Sequence, residues 1–330
     1  MKFSQKLACI TLGSILLLSG VVSINVHAEA PADGRIAFTS NRDGNWNIYV
    51  MDAHGSHLRQ VTNLLGDERY PSWSPDGRRI AFSSHFHPDG RSHTDIYAVD
   101  ADGGNLRKLT NDPPVWGLSP SWSPDGQRIA FNSSQGESVA DIYVVDVDGM
   151  NLRRLTNRST TSDGMPSWSP DGQQIAFAST RDGNYEIYVM DADAANLRRL
   201  TNRPTAEWCP VWSPDGQQIA FVSGVYGKGF GISVMDANGE NIRQLVTRSW
   251  WDSCLTWSPD GQSIAFSFTQ EWPPGDIYVM DVAGKNLRNL TNHHRGNRDP
   301  DWFNPALARI VSVSPAGRLP LTWGWIKRTR

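Results

Sequence analysis

The stretch WSPDGQQIAF, residues 168–177, recurs letter for letter at residues 212–221. Near-copies begin at Trp73, Trp122 and Trp257, so the five copies are spaced 49, 46, 44 and 45 residues apart. A period of this length is typical of supersecondary units that stack side by side, including the four-stranded blades of propellers. Between the copies, short apolar runs alternate with Gly, Asp, Asn and Pro, which is the pattern of antiparallel hairpins. The repeat therefore predicts an all-β propeller.

The number of blades follows from counting the other strings of the repeat. A strand of the IYVMD type occurs six times, ending at Asp52, Asp100, Asp146, Asp191, Asp236 and Asp281. The WSPDG string occurs five times, because the first unit begins directly at RIAF, residues 35–38. The string DPDWF, residues 299–303, can supply the missing strand. We therefore predict six four-stranded antiparallel blades, closed by pairing this C-terminal strand with the N-terminal blade, which leaves only short edges.

The Ser, Asp and Trp of WSPDG could belong to a catalytic site or to the scaffold. A group needed once for chemistry should be present once, whereas this string is present five times. In SPDG, proline presets φ, glycine tolerates a positive φ, and the Ser and Asp side chains can bond nearby backbone amides. We interpret the string as a turn, with its Trp filling the space between blades.

The repeated WSPDG, IAF, IYVMD and LRxLT strings closely resemble the TolB-type propeller repeat over about residues 34–303. This resemblance implies a propeller fold. It does not decide the function, because the repeat occurs in TolB proteins, in propeller domains of some peptidases and in some polysaccharide lyases. TolB proteins place an α/β domain before the propeller, whereas here residues 29–34 precede the first strand. The resemblance thus implies a TolB-like propeller lacking that domain, and does not by itself carry over the Tol-Pal role.

The N-terminal residues predict export. Lys2 and Lys6 precede an apolar run and a small-residue exit at residues 26–28, which is the order of a secretory signal peptide. We expect cleavage after Ala28, a propeller over residues 29–303 and a basic, Trp-containing tail over residues 304–330. The product would be a periplasmic or secreted monomer with no membrane span. Its net charge, −3 for the whole chain, becomes −5 without the two leader lysines, which argues against nucleic acid as a partner.

With strands A to D running outward from the channel, the A–B and C–D turns share one rim, which we call the constant rim. The B–C and D–A connections form the variable rim, where the repeats differ and where binding is expected. We expect its D–A loops at residues 64–70, 112–119, 158–165, 203–209, 247–254 and 293–299. Its B–C loops include residues 85–94, 224–230 and 268–275. Aromatic and acidic side chains recur there, and such side chains suit protein hot spots and stacking on sugars. The predicted ligand-binding residues are Glu68, Tyr70, Trp116, Asp163, Glu207, Trp208, Trp251, Asp252, Trp272 and Asp299.

Two classes of function are consistent with the sequence. The sequence contains no G-x-S-x-G nucleophile elbow, and we name no catalytic residue and no cofactor. The favoured hypothesis is an exported, non-enzymatic protein that binds an envelope protein or peptide. The alternative is a lyase-like or glycan-binding propeller with a divalent metal, for which candidate ligands are His85, His87 and His93, with His293 and His294 on the same rim.

Cys209 and Cys254 each lie three residues before the Trp of a repeat. They therefore occupy the same position on the innermost strands of adjacent blades. Export would allow a disulfide between them. The bridge requires Cα atoms within about 7 Å, so either a bridge or two free thiols at the channel mouth is consistent with the sequence.

Overall fold

The computed structural model describes residues 34–85, 94–110, 117–134, 139–157, 160–225, 228–248, 254–268 and 275–305. The first strands are β1 (Arg35–Ser40), β2 (Asn47–Asp52), β3 (Arg59–Gln60), β4 (Glu68–Trp73), β5 (Arg79–Ser84), β6 (Asp95–Asp100), β7 (Arg107–Lys108) and β8 (Leu118–Trp122). They are followed by β9 (Arg128–Ser133), β10 (Asp141–Asp146), β11 (Arg153–Arg154), β12 (Asp163–Trp168), β13 (Gln174–Ser179), β14 (Glu186–Asp191), β15 (Arg198–Arg199) and β16 (Ala206–Trp212). The last are β17 (Gln218–Val225), β18 (Gly229–Asp236), β19 (Arg243–Arg248), β20 (Leu255–Trp257), β21 (Ser263–Phe268), β22 (Asp276–Asp281), β23 (Arg288–Asn289) and β24 (Asn297–Trp302).

These strands form six four-stranded antiparallel sheets, which confirms the predicted six-bladed propeller. Blade 1 contains β24, β1, β2 and β3, and blades 2 to 6 contain β4–β7, β8–β11, β12–β15, β16–β19 and β20–β23. In the part of the chain that the structure describes, no helix is long and apolar enough to cross a membrane. The predicted signal peptide and the tail beyond residue 305 lie outside the described residues.

The ring is closed by the C-terminal strand, as predicted. β24 pairs antiparallel with β1, with Ile36 opposite Trp302 and Ser40 opposite Asn297. The backbone N–H of Phe303 continues the pairing by donating to the Arg35 carbonyl over 2.8 Å. The Phe303 ring is buried and lies 5.6 Å from the ring of Trp73 in blade 2. Closure therefore joins residues from the two ends of the propeller in one core.

The hydrophobic core lies between neighbouring blades. One cluster joins Ile96 and Ala98 of blade 2 to Trp122, Phe131 and Val145 of blade 3, all buried. The repeated Trp is an interblade residue, as predicted, and a cation covers it in three places. The guanidinium carbons of Arg35, Arg79 and Arg128 lie 4.5, 4.9 and 4.9 Å from the ring centroids of Trp73, Trp122 and Trp168 in the following blades.

The SPDG string forms the A–B turn, and its polar side chains bond within the turn. Ser74 Oγ donates to Asp76 Oδ1 over 2.6 Å, and the Arg78 N–H donates to the same oxygen over 3.1 Å. The Gly77 N–H donates to the Ser74 carbonyl over 2.9 Å. The same Ser–Asp hydrogen bond is present in the other four copies, at 2.5–2.6 Å. The Ser and Asp side chains of this string therefore have a structural role in the turn.

The equivalent turn glycines Gly77 and Gly261 offer a matched test of closure. Both have a positive φ, +66° and +68°, so alanine strains either turn. A Cβ at Gly77 would lie 2.4 Å from the Phe303 ring, whereas at Gly261 the nearest atom is 3.6 Å away. We expect Gly77→Ala to lower the free energy of unfolding by about 1–3 kcal/mol more than Gly261→Ala, because it also overpacks the closing contact. Urea denaturation of both variants measures this, and equal losses would contradict it.

Candidate ligand-binding rim

The described part of the predicted site lies on the inner strands rather than on loops. β4 begins at Glu68, β12 at Asp163, β16 at Ala206 and β24 at Asn297, so the predicted D–A loops end earlier than expected. The prediction of loops through residues 70, 165, 209 and 299 is wrong, because these residues already belong to the strands that line the channel. Six site residues lie on these strands: Glu68, Tyr70, Asp163, Glu207, Trp208 and Asp299. Trp116, Trp251, Asp252 and Trp272 lie outside the described residues.

Five of the six inner strands contain the same bulge. Each has a non-glycine residue with φ between 50° and 56° immediately before a proline, and each ladder shifts register there. These residues are Tyr70, Ser119, Met165, Cys209 and Asp299. Together with their prolines they line a channel cavity of 110 Å³ on the side of the variable rim. Because the bulge recurs in five blades, it belongs to the repeated scaffold and shapes the channel wall at a local cost in backbone strain. The P-x-W spacing of the sequence carried this signal, but we did not predict the bulge.

Four of the predicted acids are buried beneath the rim and have internal partners. Glu68 accepts hydrogen bonds from Thr62 Oγ1 and Ser84 Oγ over 3.3 and 3.2 Å. Asp163 accepts two from Arg181 Nη2, over 3.0 and 2.9 Å. Both carboxylates are buried, and Glu68 and Asp163 are the first residues of β4 and β12. Their direct contact with a ligand stays a prediction.

Glu207 and Asp299 complete this set. Burial, followed by the charge of nearby Glu186, raises the pKa of Glu207 to about 7. Glu207 Oε1 accepts from Thr205 Oγ1 over 3.1 Å and lies 3.4 Å from Arg203 Nη1. Asp299 is buried at the channel, where burial and then its charge raise the pKa of Tyr70 to about 12. In both cases, burial and a neighbouring carboxylate raise the pKa of the group.

Glu68 allows a test of pH dependence. Burial raises its pKa from 4.5 to about 8, so the folded protein holds a proton that the unfolded chain loses above about pH 4.5. Its contribution to stability is fully present below pH 4.5 and is lost as the pH rises towards 8. We therefore expect the stability of Glu68→Gln, relative to wild type, to increase between pH 5 and pH 8.5.

Urea denaturation at several pH values measures this difference. The control is Glu240→Gln, because Glu240 is an exposed carboxylate in a constant-rim turn. Its stability relative to wild type should not change over the same range. Curves for Glu68→Gln and wild type that run parallel from pH 5 to pH 8.5 would contradict the assignment of a proton to Glu68.

Blade 5 has longer strands than blade 1, and they extend towards the variable rim. β17 and β18 have eight residues each, where the corresponding strands of blade 1 have six. The predicted loop over residues 224–230 is consequently shorter than expected. Trp208 packs against this extension, with its ring 4.7 Å from that of Phe230 in an edge contact. Trp208 is partly buried in the core, so it supports the extended blade, and its contact with a ligand stays a prediction.

Two short B–C loops that we did not predict as part of the site share the string RDGN, at residues 42–45 and 181–184. They belong to blades 1 and 4, on opposite sides of the six-bladed ring. Asn45 Nδ2 donates to the carbonyls of Leu64 and Gly66 over 2.6 and 2.8 Å. Asn184 Nδ2 does the same to the corresponding carbonyls of the loop before β16, over 2.9 and 2.6 Å. Each loop thereby holds the next D–A loop, and each presents an aromatic residue at the rim, Trp46 or Tyr185.

The two cysteines form a disulfide that joins blades 5 and 6. The Cα atoms of Cys209 and Cys254 are 5.3 Å apart. Both residues line the channel cavity on the side of the variable rim. Cys209 Sγ also contacts Met165 Sδ over 3.4 Å, in blade 4. The disulfide therefore lies where three inner strands meet.

The structure describes three of the histidines considered as metal ligands. His85 Nε2 lies 2.9 Å from Thr94 Oγ1, and the rings of His293 and His294 are 4.4 Å apart. Among the described residues there is no group of three or more His, Cys, Asp or Glu side chains that could hold a metal ion. His87 and His93 lie outside the described residues, so the metal hypothesis stays untested.

The fold and the rim together define a class of protein: a strand-closed, six-bladed β-propeller built from near-identical repeats, with one constant rim and one variable rim. Comparison with known proteins identifies the family. The profile of the TolB beta propeller domain matches residues 2–116 and 114–302, and the chain belongs to this family.

The relatives share the propeller to different extents. The Tol-Pal system protein TolB of Nitratidesulfovibrio vulgaris is 47% identical over 47 residues, which are 14% of this chain and 10% of that protein. The chain thus matches about a tenth of the length of this curated relative. The crystal structure of TolB from Acinetobacter baumannii is similar with a TM-score of 0.72 and 27% identity, over 83% of this chain and 68% of that one. An oligogalacturonate lyase in complex with manganese, with a TM-score of 0.55 and 18% identity over 79% of this chain and 75% of that one, shares the fold alone.

Proposed function

We propose that this protein is an exported, non-enzymatic binding protein that uses the variable rim of its propeller to bind an envelope protein or peptide. Membership of the TolB beta propeller family supports a scaffold of this kind. The similarity to Tol-Pal system proteins favours an envelope partner and a periplasmic location.

The difference between the two rims carries this proposal. On the constant rim, every copy of the SPDG turn satisfies its own polar side chains, and the same residues recur in each blade. On the variable rim, the loops differ in length and sequence from blade to blade, and Leu65 is 93% exposed. Variable loops on a rigid scaffold are where binding sites are usually found.

Affinity capture from a bacterial envelope extract, run in parallel with a glycan array, tests the proposal. Two variants at exposed apolar positions serve as a pair: Leu65→Glu on the variable rim and Met150→Glu on the constant rim, where Met150 is 62% exposed. We expect capture of a discrete protein that Leu65→Glu weakens and Met150→Glu leaves unchanged, with no signal on the array. Selective binding to a glycan that depends on manganese would favour the lyase-like alternative instead.

A further inference from the structure

The seam between blades 1 and 2 on the variable rim combines two cations on one indole ring. The guanidinium carbon of Arg298, on β24, lies 4.3 Å from the Trp46 ring centroid, and that of Arg69, on β4, lies 5.2 Å away. Trp46 is held in place by its backbone. Its N–H donates to Asp67 Oδ1 over 3.3 Å, and its carbonyl accepts from the Glu68 N–H over 2.8 Å. The arrangement is therefore built into the fold before any ligand binds.

The charges at this seam are not balanced. Arg69 Nη2 pairs with Asp67 Oδ2 over 3.1 Å. The Arg298 guanidinium makes no hydrogen bond and no ion pair with any residue that the structure describes, and its Nε is buried without a partner. The Arg298 guanidinium therefore lacks an ion pair of the kind that Arg69 forms. A partly buried cation without a counterion is unfavourable, so an incoming anion gains from pairing with it.

The repeat does not require these cations. Arg69 and Arg298 stand four residues before the Trp of their inner strands. The corresponding residues of the other blades are Leu118, Gly164, Trp208 and Ser253. At this position of the inner strands, positive charge is thus confined to one of the six seams. Neighbouring inner strands supply it at the same height in the channel wall, which gives a localised site rather than a ring of charge.

The D–A loop that carries Asp67, the ion-pair partner of Arg69, also carries an exposed apolar side chain. Leu65 is 93% exposed and belongs to the loop that Asn45 holds through the carbonyls of Leu64 and Gly66. A rigid loop loses little conformational entropy when a partner covers it. Trp and Arg are the residue types most enriched where binding energy concentrates. The seam therefore offers apolar contact area next to an unpaired cation.

We infer that this seam, formed by Leu65, Trp46, Arg69 and Arg298, anchors an acidic segment of the partner. A carboxylate of that segment pairs with Arg298, whose planar group suits bidentate binding of a carboxylate. An adjacent apolar side chain covers Leu65 and the edge of Trp46. This inference rests on the proposed peptide-binding function and adds the chemistry of the ligand. The carboxylate belongs either to an Asp or Glu side chain or to a peptide C-terminus.

Selection from a phage-displayed library of random dodecapeptides tests the inference. Wild type should enrich peptides with Asp or Glu next to an apolar residue. A synthetic copy of a selected peptide should bind Arg298→Gln at least tenfold more weakly. The control is Lys228→Gln, which removes one exposed charge from the blade 5 hairpin and should change binding less than threefold. Amidation of the peptide C-terminus distinguishes a side-chain carboxylate from a terminal one.

A charge-reversal variant provides a second, independent test if Arg298→Gln loses stability. Arg298→Glu should select peptides with Lys or Arg at the position where wild type selects Asp or Glu. Peptides that bind wild type without acidic enrichment, or that bind Arg298→Gln as tightly as wild type, would overturn this inference and leave the proposed function standing. A library from which wild type selects no peptide would overturn this inference, and the affinity capture from an envelope extract then decides the proposed function separately.

Discussion

A chain truncated after Gly296, which lacks the closing strand β24, will not form a stable ring. β1 would lose its inner partner and become an exposed edge, although Ile36, Ala37 and Phe38 are completely buried in the intact protein. Loss of the buried Phe303 ring alone costs about 3–5 kcal/mol, and each lost ladder hydrogen bond about 1 kcal/mol. These losses together approach the total stability of a typical domain, about 5–15 kcal/mol.

Size-exclusion chromatography and thermal melting of the truncated protein measure this effect. The control is a chain truncated after Pro305, which keeps every strand, the Phe303 ring and the Asp301 carboxylate that accepts the Trp73 N–H over 2.6 Å. We expect the control to melt cooperatively and the shorter chain to aggregate or to show no cooperative transition. A shorter chain that stays monomeric and melts with the control would show that closure by β24 is dispensable.

Reduction of the Cys209–Cys254 disulfide will lower the free energy of unfolding by about 4 kcal/mol. The bridge spans 45 residues, and closing a loop of that length restricts the unfolded chain by about this amount. Blade 6 depends on the bridge for a further reason. Its inner strand β20 has three residues and lacks the proline and the bulge that the other five inner strands share. The disulfide therefore holds the start of β20 against blade 5.

Guanidinium denaturation with and without reductant measures the loss. The double variant Cys209→Ala, Cys254→Ala should be destabilised to a similar degree and should not respond to reductant. Maleimide labelling of denatured, unreduced protein should find neither thiol free. Labelling of both residues, or equal stability with and without reductant, would contradict the assigned bridge.

The scaffold could be predicted from the sequence because each blade is specified by local patterns that recur. The WSPDG turns and the IYVMD strands are short-range signals, and counting them gave six blades and a missing strand. DPDWF could be assigned to closure because it matched the repeat that blade 1 lacked. A fold built from near-identical units is therefore easier to predict from its sequence, because each copy of the repeat can be compared with the others.

The site was less predictable because tertiary pairing, rather than local sequence, determines it. Gly66 and Asp67 signal a loop, yet β4 begins at Glu68 because that residue pairs with Ser84 of β5. The Trp46 seam joins residues from a B–C loop, β4 and β24, which are far apart in the sequence. The shared RDGN strings indicated that blades 1 and 4 have related loops, but not that Arg298 would lie over Trp46. Likewise, the equivalent positions of Cys209 and Cys254 did not determine their separation.

Site-specific photo-crosslinking in living bacteria shows which rim of the propeller contacts a partner. A photo-reactive amino acid is introduced at position 65 or 225 of the variable rim, or at position 150 of the constant rim, because Leu65, Val225 and Met150 are all exposed. We expect position 65 to form a crosslink to one discrete envelope protein or peptide and position 150 to form none. Position 225 should form a crosslink to the same species if the ligand crosses the channel mouth. Crosslinking of that species at position 150 with none at position 65 would contradict the assignment of the variable rim as the binding surface.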